Sequence, residues 1–236
     1  MFSTWPCVAR EGARPDPIDR MERLDRQLAF VADAGRLKGV QRLTLLTDPV
    51  RRENSAEHSW HLTIMAIALA EYAPAGTDLA RVAAMLAVHD LVEIDAGDLF
   101  VYASDAAQAR QRVAERAAAE RIFGLLPPDQ AIGLRQLWDD FEERQSPEAR
   151  FARALDRLAP MLENIKADGG TWRESGITAD QVLEKVVLIE EGSPELGRFA
   201  RSMISQAVHD GMLAPAAGAP RAGRRGDASS LSPAGS

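Results

Sequence analysis

The chain has 236 residues, 46% of them hydrophobic, and a formal net charge of −7. That length suits one domain with a sizeable core, and the acidic balance disfavours a non-specific grip on nucleic acid. Cys7 is the only cysteine, which excludes an intrachain disulfide or thiolate cluster and fits a reducing cytosol. No run of 18 apolar residues suggests a membrane span.

Met1–Pro17 holds Pro and small residues without the apolar stretch of a secretory signal, and is expected to be flexible. Ile18, Met21, Leu24, Leu28 and Val31 then step by three and four, which predicts a helix that Gly35 can stop. Ser55 is the expected N-cap of a helix reaching about Tyr72, and Asp78 that of the next, through His89. Asp105–Phe123 and Pro127–Arg144 read as two more helices. Ser146-Pro147 reads as an N-cap and N1 proline for a helix through Asp156. Thr178–Glu190 and Pro194–Leu213 complete the set. From Ala214 the chain is rich in Pro, Gly, Ser and Ala and cannot bury enough surface to offset its ordering entropy, so residues 214–236 are expected to be disordered. No segment reads as a strand. The fold class is therefore all-α, a single helical domain over residues 18–213.

The chemistry concentrates in few places. The chain has four histidines, and His58, the pair His89-Asp90, and Asp156 on a third helix supply two imidazoles and two carboxylates. That set suits a divalent metal with positions left for water and substrate. Neighbouring helical residues point about 100° apart, so His89 and Asp90 can share one ion only if it lies between their directions. Each residue also has a plainer reading. His58 can be a capping or surface residue, and His-Asp is a common dipeptide, repeated at His209-Asp210 near the tail.

The flanking residues add to this. The run Arg52-Glu53-Asn54-Ser55-Ala56-Glu57-His58-Ser59-Trp60-His61 resembles the first signature of the HD-domain phosphohydrolases, in the branch of bacterial 5'-deoxynucleotidases and their eukaryotic relatives. His89-Asp90-Leu91-Val92-Glu93-Ile94-Asp95-Ala96-Gly97-Asp98 resembles the second, and Ala154–Pro160 the helix with the last metal ligand. The resemblance spans roughly residues 30–185. It implies an HD-type helical bundle with one divalent ion per site (Co, Mn, Fe or Zn), held by His58, His89, Asp90 and Asp156. Glu93 and Asp98 match carboxylates acting at the phosphate and water. Arg42, with Lys38 and Arg51, matches the substrate side, and His61 can line the pocket. A Trp follows the matching Arg in the bacterial deoxynucleotidases, whereas Leu43 follows Arg42 here, which puts a 2'-deoxy preference in doubt. The implied reaction is hydrolysis of a nucleotide, most simply a 5'-(deoxy)nucleoside monophosphate, by a cytoplasmic homodimer. A triphosphate hydrolase, a phosphodiesterase and a non-catalytic nucleotide sensor stay open. Pro160, four residues after Asp156, is expected to kink or loosen the helix there; a new helix beginning at Pro160 is the alternative.

Overall fold

The structure is a computed structural model describing residues 17–48 and 50–216. The expectations for the first sixteen residues and for the tail beyond Ala216 lie outside the described residues. Helices dominate, in the order α1 (Pro17–Ala34), α2 (Ser55–Ala68), α3 (Leu79–Val88), α4 (Glu93–Ala96), α5 (Asp105–Phe123), α6 (Pro128–Glu143), α7 (Pro147–Lys166), α8 (Gly170–Glu174), α9 (Ala179–Gly192) and α10 (Pro194–His209).

The axis of the bundle is α7. Its Phe151, Ala152, Leu155 and Leu158 are buried against Leu62 of α2, Met85 and Leu86 of α3, and Val182, Val186 and Ile189 of α9. Ser146 caps α7 by accepting from the Ala149 N–H, with Pro147 at its first position, as the sequence predicts. Close packing of α9 on α7 needs Gly192, because a Cβ there would lie 2.2 Å from the Arg150 carbonyl oxygen. The helix passes through Pro160 without a break, so Pro160 does not start a new one. With no proline N–H, the Asp156 carbonyl loses its usual helical donor. Beyond α10, the Ala214 carbonyl accepts from the Ala179 N–H, so the start of the expected tail is tied to α9.

Three details depart from the sequence reading. First, residues expected to lack strands form a hairpin of β1 (Gln41–Thr47) and β2 (Val50–Asn54), paired antiparallel with Gln41 opposite Asn54 and Thr47 opposite Val50. The ladder is irregular between Gln41 and Leu45, and β2 is Val-Arg-Arg-Glu-Asn. Neither strand shows the clean apolar alternation that announces a half-buried strand. Second, the cap of α2 is Asn54, not Ser55. Its Oδ1 accepts from the Ala56 and Glu57 N–H groups, while Glu57 accepts from the Asn54 N–H to close a capping box. The α-helix ends at Ala68, and a separate 3₁₀ turn covers Ala70–Tyr72. Third, the helical periodicity of α1 does not put its apolar side inward. Met21, Leu24, Leu28 and Val31 are exposed. The helix docks through polar contacts along its length, where Arg23 pairs with Asp129, Arg26 donates to the Gly124 and Leu126 carbonyls and Gln27 meets Gln130, and through Phe30 and Ala34 near its end, which pack on the cluster around Phe123. The turn after α5 presents carbonyls left over from a helix end, and these are natural partners for a guanidinium.

Candidate metal centre

Three segments converge in the bundle interior. His58 lies in the first turn of α2, whose start is set by the Asn54 cap. His89 and Asp90 open a 3₁₀ turn, His89–Val92, that follows α3 rather than ending it. The turn rests on a small cluster including Leu37, Ile122, Phe123 and Trp138. Asp156 comes from the middle of α7. His58, His89 and Asp156 are all buried, and each offers a ligand atom within 4.8 Å of the others.

These side chains fit a divalent metal. The His89 Nδ1–H can donate to the Leu86 carbonyl at 2.9 Å, which leaves Nε2 as a lone pair. That buried Nε2 has no hydrogen-bond partner among the described residues. Asp156 Oδ1 lies 3.2 Å from His58 Nε2 and 3.8 Å from His89 Nε2. Ligands at about 2.0–2.2 Å from one ion stand roughly 3–3.5 Å apart, so the group needs little adjustment. Asp156 Oδ2 faces away, 3.3 Å from both Arg153 and Arg157. The His58 and His89 rings are tilted 49° to one another with centroids 5.9 Å apart, and His89 also packs on the Phe141 ring at 4.7 Å.

Beside this group stands a set of acids around one guanidinium. Asp90 Oδ1 is 3.0 Å from His89 Nε2, and its Oδ2 accepts from Arg42 Nη1 at 3.0 Å. Asp90 is not among the three residues whose ligand atoms all lie within 4.8 Å of one another. The same Arg42 lies 3.4 Å from Glu53, 3.6 Å from Asp98 and 3.9 Å from Glu93. Burial works against the Arg42 charge, but Asp90, Asp98, Glu93 and Asp156 outweigh it and hold the proton more firmly than usual. Burial likewise disfavours a charged His89, yet Asp90 and Asp156 raise its pKa to about 10. Against the same burial, the His89 and Arg42 charges lower Asp90 to about 2. Asp156 is held well below the carboxylate range, because Arg157, His58, His89 and Arg153 overcome its burial. The field at His89 Nε2 therefore strongly favours a cation. Glu93 goes the other way: burial and the Asp90 charge push it well above the usual range, with Arg42 opposing. Asp98 is raised for the same reasons.

The HD domain profile matches residues 34–197 of this chain. The chain belongs to the HD-domain family. A solved structure from Magnetospirillum magnetotacticum, described as a predicted metal-dependent phosphohydrolase, is similar over 83% of this chain and 98% of its own, with 49% identity and a TM-score of 0.79. A 5'-deoxynucleotidase of Danio rerio is 27% identical over 141 residues, 59% of this chain and 68% of the relative. A 5'-deoxynucleotidase of Yersinia pestis is 28% identical over 179 residues, 72% of this chain and 88% of the relative.

In this HD domain a cavity of about 410 Å³ opens beside the centre, within the usual range for a small-molecule pocket. Its walls include His89, Asp90, Glu93, Asp98, Asp156 and Arg42. Of the expected substrate-side residues, only Arg42 reaches it. Lys38 is exposed on the 3₁₀ turn Gly35–Gly39. Arg51 pairs with Glu57 at 2.7 Å on the outside of the hairpin. His61 lies beside Trp60, with the rings 6.5 Å apart. None of these three lines the cavity. His209 and Asp210 lie exposed at the end of α10, away from the centre, as a chance repeat would.

Four residues of the site escaped the sequence reading. Buried Glu53 places Oε2 3.4 Å from both His58 Nδ1 and Arg42 Nε, joining the imidazole to the guanidinium. Ser55, freed from capping, donates to Glu93 Oε2 at 2.6 Å. Arg153 donates to Glu142 at 2.7 Å and lies over the Phe141 ring at 4.0 Å. Arg157 lines the cavity next to Asp156. Glu53 and Ser55 sit inside the first signature and Arg157 inside the third, so the motif text held them. Arg153 stands one α-turn fraction before Asp156, at i−3, which helical spacing could have flagged.

Proposed function

We propose that the protein is a metal-dependent nucleotide phosphohydrolase that converts a 5'-(deoxy)nucleoside monophosphate to a nucleoside and phosphate. The observation that carries this reading is the buried His58–His89–Asp156 group opening onto a cavity lined by Glu93 and Asp98. The 5'-deoxynucleotidase relatives support the substrate class. One divalent ion per site, Co, Mn, Fe or Zn, is held by His58, His89 and Asp156, with Asp90 as the fourth ligand. Such an ion supplies Lewis acidity that acidifies water and offsets charge at the phosphoryl group.

The chain's own groups do the rest. Glu93 and Asp98 line the same wall and compete for protons with neighbouring acids, which suits a carboxylate that positions the attacking water and takes its proton. Ser55 fixes one oxygen of Glu93, so the other is the one presented to the cavity. Arg42 spans Asp90, Glu93 and Asp98, keeping three carboxylates apart from mutual repulsion. Glu53 Oε2, 3.4 Å from His58 Nδ1, puts a negative charge on the side of the ring away from Asp156 and so favours a proton at Nδ1, with Nε2 turned to the centre. Lys38, Arg51 and His61 keep only an outer role, meeting substrate atoms that project beyond the cavity.

We place the reaction in the cytosol and the protein in a homodimer. The outward apolar side of α1, with Met21, Leu24, Leu28 and Val31, supports a second copy as its cover. Light scattering coupled to size exclusion measures this directly.

The test of function is a substrate panel. Protein stripped with chelator is reloaded with Co, Mn, Fe or Zn and given nucleoside mono-, di- and triphosphates and cyclic nucleotides. The expected product is inorganic phosphate from monophosphates, with activity lost on chelation. Release of pyrophosphate or triphosphate would move the reading to a triphosphate hydrolase. Binding without turnover by fully metal-loaded protein would make it a sensor.

A further inference from the structure

We propose that Lys185 and Tyr102 form a subsite that reads the nucleobase and favours one carrying a keto oxygen over one carrying an amino group. The inference rests on the nucleotide phosphohydrolase reading and names which bases its site accepts. It comes from the polar groups of the cavity that the metal group and the acids around Arg42 leave unused.

Lys185 reaches the cavity from α9, a helix that supplies nothing to the metal group or to the acids around Arg42. It is half-buried, and its ammonium lies over the Tyr102 ring, 6.0 Å from the centroid. Among the described residues it makes no ion pair, and that ring is its partner. Tyr102 comes from the segment after α4, four residues past Asp98, and also lines the cavity. Burial pushes its hydroxyl up to about 12, with a hydrogen bond from the Trp172 indole opposing. The phenol therefore stays protonated. With its oxygen accepting from Trp172, it still has its proton to donate.

The polar side chains around Trp172 are already engaged. Asn164 donates to the Pro160 carbonyl at 2.8 Å and accepts from the Trp172 N–H at 3.3 Å, and Thr171 donates to the Leu43 carbonyl at 3.2 Å. This part of the cavity therefore offers two donors, Lys185 Nζ and the Tyr102 O–H, beside apolar Phe100, Met161 and Leu188. A monophosphate brings its one anionic group to the metal centre. The base is the part of it farthest from that phosphate, and its flat ring is the part that suits apolar walls. Thymine, uracil and guanine carry a keto oxygen at the edge where cytosine and adenine carry an amino group. A keto oxygen has two lone pairs, one for each donor. An amino group in its place sets donor against donor and leaves a half-buried ammonium without an acceptor, which is costly.

The experiment compares nucleotides that differ only at that edge: deoxyuridine with deoxycytidine monophosphate, and deoxyinosine with deoxyadenosine monophosphate. Values of kcat/KM are taken for metal-loaded wild type, Lys185→Met, Lys185→Arg and Tyr102→Phe, and binding of each nucleotide is titrated by calorimetry into metal-loaded Glu93→Gln. Wild type should favour the keto member of each pair by about ten- to a hundredfold, the usual worth of a hydrogen bond from a charged donor. Lys185→Met should bring both ratios within threefold of unity, Lys185→Arg should keep the preference, and Tyr102→Phe should lower it at least threefold. Each ratio is taken within one protein, so a general loss of stability or metal cancels. Wild-type ratios within threefold of unity overturn the proposal, as do ratios that Lys185→Met leaves unchanged. A preference for deoxynucleoside 3',5'-bisphosphates that Lys185→Met removes, with the base ratios near unity, also overturns it and gives Lys185 a second phosphate instead. If Lys185→Met does not fold, Tyr102→Phe decides: unchanged ratios overturn the assignment, and a threefold fall supports it. Protein that hydrolyses none of the four in any metal form, yet binds the keto members more tightly, overturns the phosphohydrolase reading and supports the subsite.

Discussion

Phe141 joins the packing of the bundle to the chemistry of the centre, and Phe141→Leu should separate the two contributions. The ring is 1% exposed. One face of its surroundings is His89, edge-on at 4.7 Å, and another is the Arg153 guanidinium at 4.0 Å. Leucine keeps much of the volume, so repacking alone costs under about 1.5 kcal/mol. The lost ring–imidazole contact adds about 0.5–1.5 kcal/mol, and the lost cation–π contact with a largely buried arginine about 1–2 kcal/mol. Together these give about 2–4 kcal/mol, which for a chain of this size lowers Tm by about 5–15 °C. Because the ring braces both a proposed ligand and the arginine that orients Asp156, metal affinity should fall about 10–100-fold, as when an outer-shell partner is removed. Differential scanning calorimetry of metal-free protein gives the first quantity and calorimetric metal titration the second. A large Tm loss with unchanged metal affinity would refute the bracing argument and leave Phe141 as a core residue only.

Glu93→Gln should abolish turnover by at least 10²-fold while raising the Tm of the metal-free protein. The folded state holds the Glu93 proton more tightly than the unfolded chain, whose value is near 4.5, so its cost to stability is absent at low pH and grows as pH rises above that value. The variant's gain should therefore be about 2–4 °C at pH 8, the equivalent of 1 kcal/mol, and vanish near pH 4; an equal gain at both would remove burial of the charge as the cause. Leu43→Trp should sharpen deoxyribo-over-ribonucleotide preference in matched kcat/KM comparisons, since Leu43 lines the cavity beside Arg42; strong preference already present in wild type would mean that another residue sorts the sugar. Gly192→Ala should cost more than about 3 kcal/mol, because its Cβ meets the Arg150 carbonyl oxygen, a backbone atom that cannot swing aside; a thermal shift under 3 °C would contradict the close approach.

Helical periodicity and caps carried most of the fold: Asp78, Ser146 and the α5 and α9 regions behave as their residue types demand. The hairpin was not legible, because an irregular, charged ladder satisfies its backbone without an apolar face. The orientation of α1 was not legible either. Periodicity reports that a helix has two sides, whereas which side docks depends on the carbonyls and Asp129 of a segment about 100 residues away. At the centre, the metal group was readable as scarce residue types in ordered motifs. The surroundings of the arginines were not, since Arg42 and Arg157 are the same letter, and only the folded chain brings Glu53, Asp90, Glu93 and Asp98 to one and Asp156 to the other.

The irregular stretch of β1 has a consequence for how this chain can vary. Between the paired positions Gln41–Asn54 and Leu45–Arg52, β1 takes four steps and β2 two. The surplus pushes Arg42, Leu43 and Thr44 out of the ladder and onto the cavity wall. Meanwhile β2 runs directly into Glu53, the Asn54 cap and His58. One residue more or less in the surplus would shift Arg42 by about 3.3 Å relative to Glu53, as much as the whole separation of that pair. Drift can change the letters at 43 and 44, and with them the sugar or base that fits, but not their number. The hairpin thus behaves as a ruler, along which new substrates can be explored by substitution while insertion and deletion are closed off.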